Sequence, residues 1–403
     1  MTISAFPIDL VEHIIGFLDL RSTVSLLSTN RSATQSKEWI YKLWKRACST
    51  RWHYIPVDCG TGLGLALDLN RPDWFRAALA REWIEMQMEA EDSASDKIRA
   101  IVEVIAKRPS NSNVLEEGVR WIVEIFDQTE EHNISRAALD EQRLMSLISA
   151  VSRLTSNSSC QHLAVKAFGI LALNESNRKI LPKLGVVELL LKAMRKHQFN
   201  SELVGNALWA LVILCRPLGC NEGSRFLSDR LSSVNHISDY MSNDVVMAVL
   251  STAKRHITRP SVLTKAFWAM VNLALIDANK EWLVSHRAVH LILMAMSKYP
   301  NEPLLHFRAC FALINLSLNR DARDLIRSLN GIETVLASMK RFEDFAMLQR
   351  CGCNILMSMA WASPINRDRM VKLKAGEIVG RARSRHGSLA DLNQIASSLL
   401  SML

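Results

Sequence analysis

Two groups of residues in the sequence have types that phosphate or metal chemistry uses, but neither completes its pattern. The glycines of Gly60–Gly64 suggest a phosphate-binding loop. However, Leu65 takes the place of the third glycine of GxGxxG, and no predicted strand precedes the loop. His286 and His290 are four residues apart on a predicted helix, but the pair lacks the HExxH glutamate and an evident third ligand. We interpret the glycines as a linker and the histidines as buried or solvated side chains.

The cysteines also lack a reactive arrangement. Cys351 and Cys353 are two residues apart, which places their thiols on different sides of a helix, so we predict that they pack in the core. The eight cysteines contain no Cys-x-x-Cys pair, and no Gly-x-Ser-x-Gly motif occurs. We therefore predict a protein that is not an enzyme, binds no metal or cofactor, and keeps reduced thiols in the cytoplasm or nucleus.

The elements that position these residues are predicted to be helices. Gly (15) and Pro (10) occur at about half their average frequency, and β-branched residues do not dominate, so the predicted fold class is all-α. The longest apolar run, Ala207–Cys215, has nine residues, whereas a membrane span needs about 20. Asp9 and Glu12 interrupt the apolar N-terminal stretch, which argues against a signal peptide.

Five predicted helices share one register. Each has a small residue followed by an apolar or aromatic run, starting at Ala164, Ala207, Ala266, Ala309 and Gly352. The steps between them are 43, 59, 43 and 43 residues, so we place an insertion within residues 216–259. Such a unit cannot bury its apolar face alone and must stack on its neighbours. The period predicts an α-solenoid.

The rest of each unit repeats as well. Each run is followed by a polar turn, a short helix, a glycine break and another helix. The glycines at these breaks are Gly185, Gly331 and Gly376. These features resemble armadillo repeats over roughly residues 115–386, with HEAT repeats as the close alternative. We predict a solenoid over 115–403 that ends in a capping helix with an apolar stripe within 388–403, and connecting helices and a linker over 53–114.

Residues 6–46 do not follow the 43-residue pattern. They contain Phe6-Pro-Ile-Asp-Leu10, then Ile14-Ile-Gly-Phe-Leu18-Asp19, and later Leu43-Trp44. This stretch resembles the F-box, although Thr29–Ala33 depart from that family's usual middle. The resemblance implies a helical module over 1–52 that docks on a Skp-type adaptor. It implies the following adaptor-binding residues: Phe6, Pro7, Leu10, Ile14, Ile15, Leu18, Leu26, Leu27 and Trp44. The alternative is a plain N-terminal cap of the solenoid.

The two resemblances together imply a function. The chain is predicted to be the substrate-recognition subunit of an SCF-type cullin–RING ubiquitin ligase, which holds a protein substrate on its solenoid. The alternative is an armadillo-repeat scaffold or transport adaptor without a ligase role. Nucleic-acid and membrane partners are not expected.

Two pairs of residues mark a possible substrate groove. Trp268 and Asn272, like Phe311 and Asn315, are four residues apart and share one helix face. The armadillo resemblance places both pairs in the groove, where rings would cover aliphatic stems and amides would pair with a peptide backbone. Trp209 is in the same register. The alternative is that the three aromatic residues belong to the core.

Charge is unevenly distributed along the chain. The net charge is +9, yet residues 80–145 hold 8 Lys and Arg against 15 Asp and Glu. A basic cluster comprises Arg367, Arg369, Lys372, Lys374, Arg381, Arg383 and Arg385. We interpret it as solvated surface, with docking of an acidic segment or of nucleic acid as alternatives.

Overall fold

The computed structural model describes residues 93–107, 111–129, 137–153, 158–216 and 242–403, with isolated positions at 80, 84, 88 and 91. Within these residues all regular structure is helical, in eighteen helices without a strand, which confirms the predicted all-α class there. In chain order the helices are α1 (Ala94–Lys107), α2 (Ser112–Gln128), α3 (Glu141–Arg153), α4 (Ser158–Leu171), α5 (Glu175–Ile180), α6 (Val186–Lys196), α7 (Ser201–Leu214), α8 (Asn243–Arg255), α9 (Pro260–Leu273), α10 (Asp277–Ser285), α11 (Ala288–Lys298), α12 (Pro303–Leu316), α13 (Arg320–Ser328), α14 (Gly331–Arg341), α15 (Ala346–Ala362), α16 (Pro364–Lys372), α17 (Ala375–Arg385) and α18 (Ala390–Leu400).

Seven helices form a continuous row through the described residues. We call α2, α4, α7, α9, α12, α15 and α18 the row helices, and each packs against the next. Each also packs against the helix before it, and four repeats add a short helix (α5, α10, α13, α16). One apolar core runs from Ala80 to Leu399. This is the stacked arrangement that the 43-residue period predicts.

The row is longer than the five copies visible in the sequence. α1 lies in the stretch predicted to be a connector, but it packs against α2 and α3. α2 in turn packs against α4, as a row helix does. α18, predicted as a capping helix, buries Leu392, Ala396 and Leu399 and packs on α15. The repeat packing therefore includes helices at both ends that do not follow the sequence register.

Arginines on two of the short helices donate hydrogen bonds to backbone carbonyls at the C-terminal ends of the preceding row helices. Arg178 of α5 donates to the Ala172 carbonyl just after α4 (3.2 Å), and Arg323 of α13 donates to the Ser317 carbonyl just after α12 (2.7 Å). The last carbonyls of a helix have no intrahelical donor, and a positive charge there also suits the helix dipole. The polar turns thus contain residues that terminate one helix and begin the next.

A residue with left-handed backbone directly precedes each of four helices, α6, α11, α14 and α17. The residues are Gly185 (φ 84°), Arg287 (φ 68°), Asn330 (φ 59°) and Lys374 (φ 56°). Only Gly185 is the glycine that the sequence predicts at this break. Gly331 instead lies inside α14, where a Cβ would be 2.7 Å from the Ile326 carbonyl oxygen. That glycine is needed for close packing, whereas Gly376 has no such neighbour.

Three side chains that directly follow α8, α11 and α17 link consecutive repeats. Each donates to a backbone carbonyl of the preceding repeat: His256 Nε2 to Gln198 (2.8 Å), Tyr299 Oη to Ile257 (2.7 Å) and His386 Nε2 to Glu343 (2.7 Å). These bonds fix the stacking register at points that the apolar core alone leaves adjustable.

Candidate functional site

The predicted adaptor-binding residues lie outside the described residues. They are Phe6, Pro7, Leu10, Ile14, Ile15, Leu18, Leu26, Leu27 and Trp44. The same is true of the glycines at 60–64 and of residues 217–241, where most of the predicted insertion falls. The F-box assignment therefore stays a prediction.

The three predicted groove aromatics occupy equivalent places on α7, α9 and α12. Trp209, Trp268 and Phe311 are each half-buried, with part of the ring packed against the core. The Trp209 ring lies across α4: it is 5.6 Å from the Phe126 ring, and a Cβ on Gly169 would be 2.4 Å from it. Each ring packs inward and still reaches the surface, so the assignment of these rings to a groove stays a prediction.

The two predicted groove asparagines have a different use from the one expected. Asn272 (4% exposed) donates through Nδ2 to the Val212 carbonyl at 3.0 Å. Asn315 (0% exposed) donates to the Val271 carbonyl at 2.7 Å. Both acceptors lie in the last turn of the preceding row helix, where carbonyls lack intrahelical donors. These amides join repeats, so we restrict the proposed peptide contacts to the aromatic side chains.

The next repeat makes the same connection with hydroxyl groups. Ser358 of α15, in the register of Asn315, is 2.7 Å from the Ser317 hydroxyl. Ser317 donates onward to the Ile314 carbonyl, also at 2.7 Å. Because Ser317 donates to the carbonyl, Ser358 is the donor in the first bond. A two-hydroxyl relay thus replaces the amide.

Four cations, namely Lys166, Lys265, Arg308 and Arg350, lie on the row helices. Lys166 (α4) is 3.0 Å from Asp127, and Arg350 (α15) is 2.9 Å from Asp391. Arg308 (α12) stacks its guanidinium 3.6 Å from the centre of the Trp268 ring, a cation–π contact. We define the row surface as the face that contains Lys166, Trp209, Lys265, Trp268, Arg308, Phe311 and Arg350.

Lys265 occupies the middle of the row surface. Its Nζ lies over α7, 3.4 Å from where a Cβ on Gly205 would be. Partial burial lowers the pKa of this ammonium, the charge of Lys166 lowers it further, and Glu202 opposes the shift. Lys265 therefore lies in a partly desolvated place where the charges of Lys166 and Glu202 act on it in opposite directions.

Exposed apolar side chains lie at the ends of two row helices. Leu318 (50% exposed) follows α12, and Trp361 (75% exposed), in the same register one repeat later, is near the end of α15. Ile365 is also exposed at the start of α16.

The predicted basic cluster is largely used within the protein. Arg367 donates to the Ala360 carbonyl at 2.9 Å. Three further arginines form ion pairs: Arg369 with Glu333 (2.5 Å), Arg381 with Glu343 (3.1 Å) and Arg385 with Asp344 (2.8 Å). This supports the interpretation as solvated surface over an anion-docking patch.

The candidate chemical groups have structural surroundings. Burial raises the pKa of the Cys351 and Cys353 thiols to about 12, so they are protonated at neutral pH. His286 stacks on Trp282 with the ring centres 4.5 Å apart, and its Nδ1 is 2.9 Å from the Trp282 carbonyl oxygen. In the part of the chain that the structure describes, no group of three His, Cys, Asp or Glu side chains could hold a metal ion. None of the described helices is both long and apolar enough to cross a membrane.

Comparison with known proteins places the fold. No protein-family model and no curated protein matches the sequence. Among solved structures, an engineered protein (18% identity, TM-score 0.49) is matched over 66% of this chain and 96% of its own. A designed armadillo repeat protein (12%, TM-score 0.47) is matched over 63% and 98%. The structure described as a conserved phosphorylation switch controlling the interaction between cadherin and β-catenin (13%, TM-score 0.52) is matched over 94% and 78%.

The last of these likenesses shows the fold. Because it extends over 94% of the chain with a TM-score of 0.52, it supports an all-α solenoid fold, like that of armadillo-repeat proteins, for the part of the chain that the structure describes. The armadillo resemblance drawn from the register of Ala164, Ala207, Ala266, Ala309 and Gly352 is thereby confirmed at the level of fold.

Proposed function

We propose that the chain is a non-catalytic protein-binding scaffold whose row surface holds an extended segment of a partner protein. The observation that supports this most is the series of half-exposed rings, Trp209, Trp268 and Phe311, at equivalent places on consecutive row helices. Aromatic rings with one free face give much apolar contact at small conformational cost. The five cysteines among the described residues are buried and form no disulfide, which agrees with a cytoplasmic or nuclear location.

The spacing of the rings suits an extended chain. Packed helices lie about 8–10 Å apart, and an extended chain advances about 3.3 Å per residue. Each repeat therefore meets about every third residue of a bound segment. A globular partner would need one continuous complementary surface, whereas a strand-like segment needs only regularly spaced contacts.

The test is selection of displayed random peptides of about 15 residues on the intact chain. We expect enriched peptides whose binding is lost when Phe311→Ala and Trp268→Ala are combined. The matched control is Trp282→Ala, which removes a half-buried ring from the short helix α10. Circular dichroism should show that all variants are folded. No enrichment, or enrichment that is insensitive to the double variant, contradicts the proposed surface.

A more specific proposal adds the ubiquitin-ligase role. The F-box resemblance of residues 6–46 supports it, with Pro7 and Leu10 at the expected adaptor contact. In that case the chain is an SCF substrate receptor that acts by proximity: the module 1–52 docks on the adaptor, and the solenoid raises the local concentration of a substrate. The alternative is a scaffold or transport adaptor in which the N-terminal helices only cap the array.

Co-purification with a Skp-type adaptor separates the two roles. The intact chain is compared with a Pro7→Ala, Leu10→Ala double variant. Stoichiometric capture that the double variant loses would establish the receptor role. Absence of capture by the folded intact chain would leave the scaffold.

For the domain division we propose the module over 1–52, a connector, and a solenoid that starts at α1 because α1 packs against α2 and α3.

A further inference from the structure

The row surface continues into exposed apolar side chains at the ends of α12 and α15. Trp361 comes seven residues after Asn354, which has the register of Phe311 in α15. Because seven residues are about two helix turns, Trp361 faces the same way as the row surface, about 10 Å nearer the C-terminal end of α15. Leu318 has the register of Trp361 one repeat earlier, just beyond the end of α12. The two side chains therefore extend the row surface toward one edge of the array.

This extension belongs to the two repeats that contain α12 and α15. In two earlier repeats the same register position is buried, as Leu173 after α4 and Leu275 after α9. At Leu318 and Trp361 it is exposed. The serine–serine hydrogen bond of 2.7 Å described above lies beside both residues and holds the two helix ends together. The exposed side chains thus lie on neighbouring helix ends.

The ring of Trp361 has no partner within the described residues. Trp209, Trp268 and Trp282 each contact a neighbouring ring or a guanidinium. Trp361, in the part of the chain that the structure describes, has neither such a contact nor a hydrogen bond to its indole N–H. Most of its apolar area is therefore available for contact, and covering it removes a large apolar surface from water.

The cations of the row surface, in contrast, have contacts within the protein. Lys166 pairs with Asp127, and Arg350 pairs with Asp391. Arg308 stacks on a tryptophan ring. We therefore expect apolar contact, rather than charge, to select the segment that this surface binds.

From this arrangement we propose that Trp361 and Leu318 form an anchor site for one bulky apolar side chain of the bound segment. This inference rests on the proposed function and names the residue type and spacing that the partner must contain. From Phe311 to Trp361 the segment crosses one helix spacing of about 8–10 Å and advances about 10 Å along α15, which is about 14 Å in all. An extended chain covers this distance in about four residues. Partner residues at Trp268, Phe311 and the anchor site should therefore follow spacings of about three and then about four.

The experiment measures binding of fluorescein-labelled peptides of about 12 residues to the intact chain by anisotropy. Each peptide has two leucines three positions apart, and either leucine or serine at the anchor position four residues further on, in a serine and glutamine background. The pair is made in both sequence directions, because either direction fits the same spacing. In one direction we expect the peptide with the anchor leucine to bind at least about tenfold more tightly than its serine counterpart, as for burial of one leucine side chain.

Two matched variants locate the effect. Trp361→Ser removes the anchor ring, and the advantage of the anchor leucine should fall to within about twofold. Phe199→Ser removes a similarly exposed ring from the turn between α6 and α7, outside the row surface, and should leave the full advantage in place. Both side chains are exposed, so both variants should keep the circular dichroism of the wild-type chain.

The outcomes separate this inference from the proposed function. If the anchor leucine gives no advantage in either direction, or if Trp361→Ser and Phe199→Ser have equal effects, the anchor site is refuted. Binding that still depends on Trp268 and Phe311 would then leave the proposed peptide surface in place. If no peptide binds, the inference also fails, and the peptide selection described above decides the proposed function independently.

Discussion

Changing Asn315 to aspartate tests whether the buried amides hold the repeats together. The substitution keeps the side-chain size but puts an oxygen in place of the Nδ2 that lies 2.7 Å from the Val271 carbonyl oxygen. The site is fully buried, so an ionised carboxylate there loses its water and faces another oxygen. The wild-type amide oxygen has no hydrogen-bond partner, so Nδ2 is the group whose loss matters.

The expected cost has two parts. Loss of the hydrogen bond, with a buried carbonyl left unpaired, costs about 1–3 kcal/mol. Burial also raises the pKa of the introduced carboxyl above about 3.9, and each unit of increase costs about 1.4 kcal/mol once the pH exceeds the raised pKa. We therefore expect Asn315→Asp to lower the unfolding free energy by about 3–5 kcal/mol at pH 8.

The sign of the pH dependence makes the test specific. The folded state holds the proton of the new carboxyl more tightly than the unfolded state does, so the destabilisation appears as pH rises above about 3.9 and is complete above the raised pKa. A protonated carboxyl can also donate to Val271 in place of the amide. The difference from wild type should therefore be smaller at pH 5 than at pH 8.

Urea unfolding followed by tryptophan fluorescence and circular dichroism measures the difference at each pH. The matched control is Asn354→Asp, at a half-buried position whose amide donates only to the Arg350 carbonyl of its own helix (3.0 Å). The control should change the unfolding free energy by less than about 1 kcal/mol. The reasoning is refuted if both variants lose the same amount at pH 8, or if the loss for Asn315→Asp does not depend on pH.

Three further predictions concern pH, packing and thiol reactivity. Burial lowers the pKa of His306, so the unfolded state binds the proton more readily than the folded state. We therefore expect the urea concentration at the unfolding midpoint to decrease as the pH is lowered below about 6.5, and to decrease less in His306→Gln than in wild type. Gly331→Ala should destabilise the chain by more than about 1 kcal/mol because of the Ile326 carbonyl, whereas Gly376→Ala, whose added Cβ would only make ordinary contact with Leu400 at 3.9 Å, should be neutral or stabilising by up to about 1 kcal/mol; thermal unfolding compares the two. A maleimide at neutral pH should modify Cys351 only after urea is added, because this thiol is buried with a pKa raised to about 12. Mass spectrometry of the digested protein measures the labelling, and labelled Cys351 without urea would contradict the prediction.

The connections between repeats matter for how a surface of this kind works. The rings that reach the row surface share their helices with the amides that join the repeats, as in Trp268 with Asn272 and Phe311 with Asn315. Because the amides fix the relative position of consecutive row helices, they also fix the spacing of the rings. A bound segment then meets contacts that are already in place, which reduces the ordering cost of binding.

The local pattern of the sequence was enough to predict the repeated core. The register of Ala164, Ala207, Ala266, Ala309 and Gly352 identified α4, α7, α9, α12 and α15, because a small residue and an apolar run repeat wherever helices must approach and bury one face. The terminal helix was predicted from its own apolar stripe within residues 388–403. α1 was predicted to be a connecting helix, and α2 lay within the predicted solenoid but outside the 43-residue register, since the two share the packing of the repeats but not their spacing.

The candidate site shows the limit of that approach. Trp268 and Asn272 share one helix face by spacing, so the sequence could only place them together. The tertiary structure separates them: the ring reaches the surface, while the amide, one turn further on, meets an unpaired carbonyl of the preceding row helix. The recurrence of asparagine at Asn272 and Asn315, one repeat apart, was the sequence signal for this shared role between repeats.

The amino-acid sequence by itself determined that the chain is helical, repetitive and without a recognisable catalytic motif, because helix period, small-residue spacing and turn composition are local properties. Only the tertiary structure decided which polar groups remain for a partner. Arg367 satisfies a helix end, Asn315 joins two repeats, and Lys265 lies partly buried over Gly205 of the preceding row helix. The physical reason is that a side chain's role depends on the donors and acceptors that neighbouring repeats leave unpaired, and those are set by stacking rather than by sequence spacing.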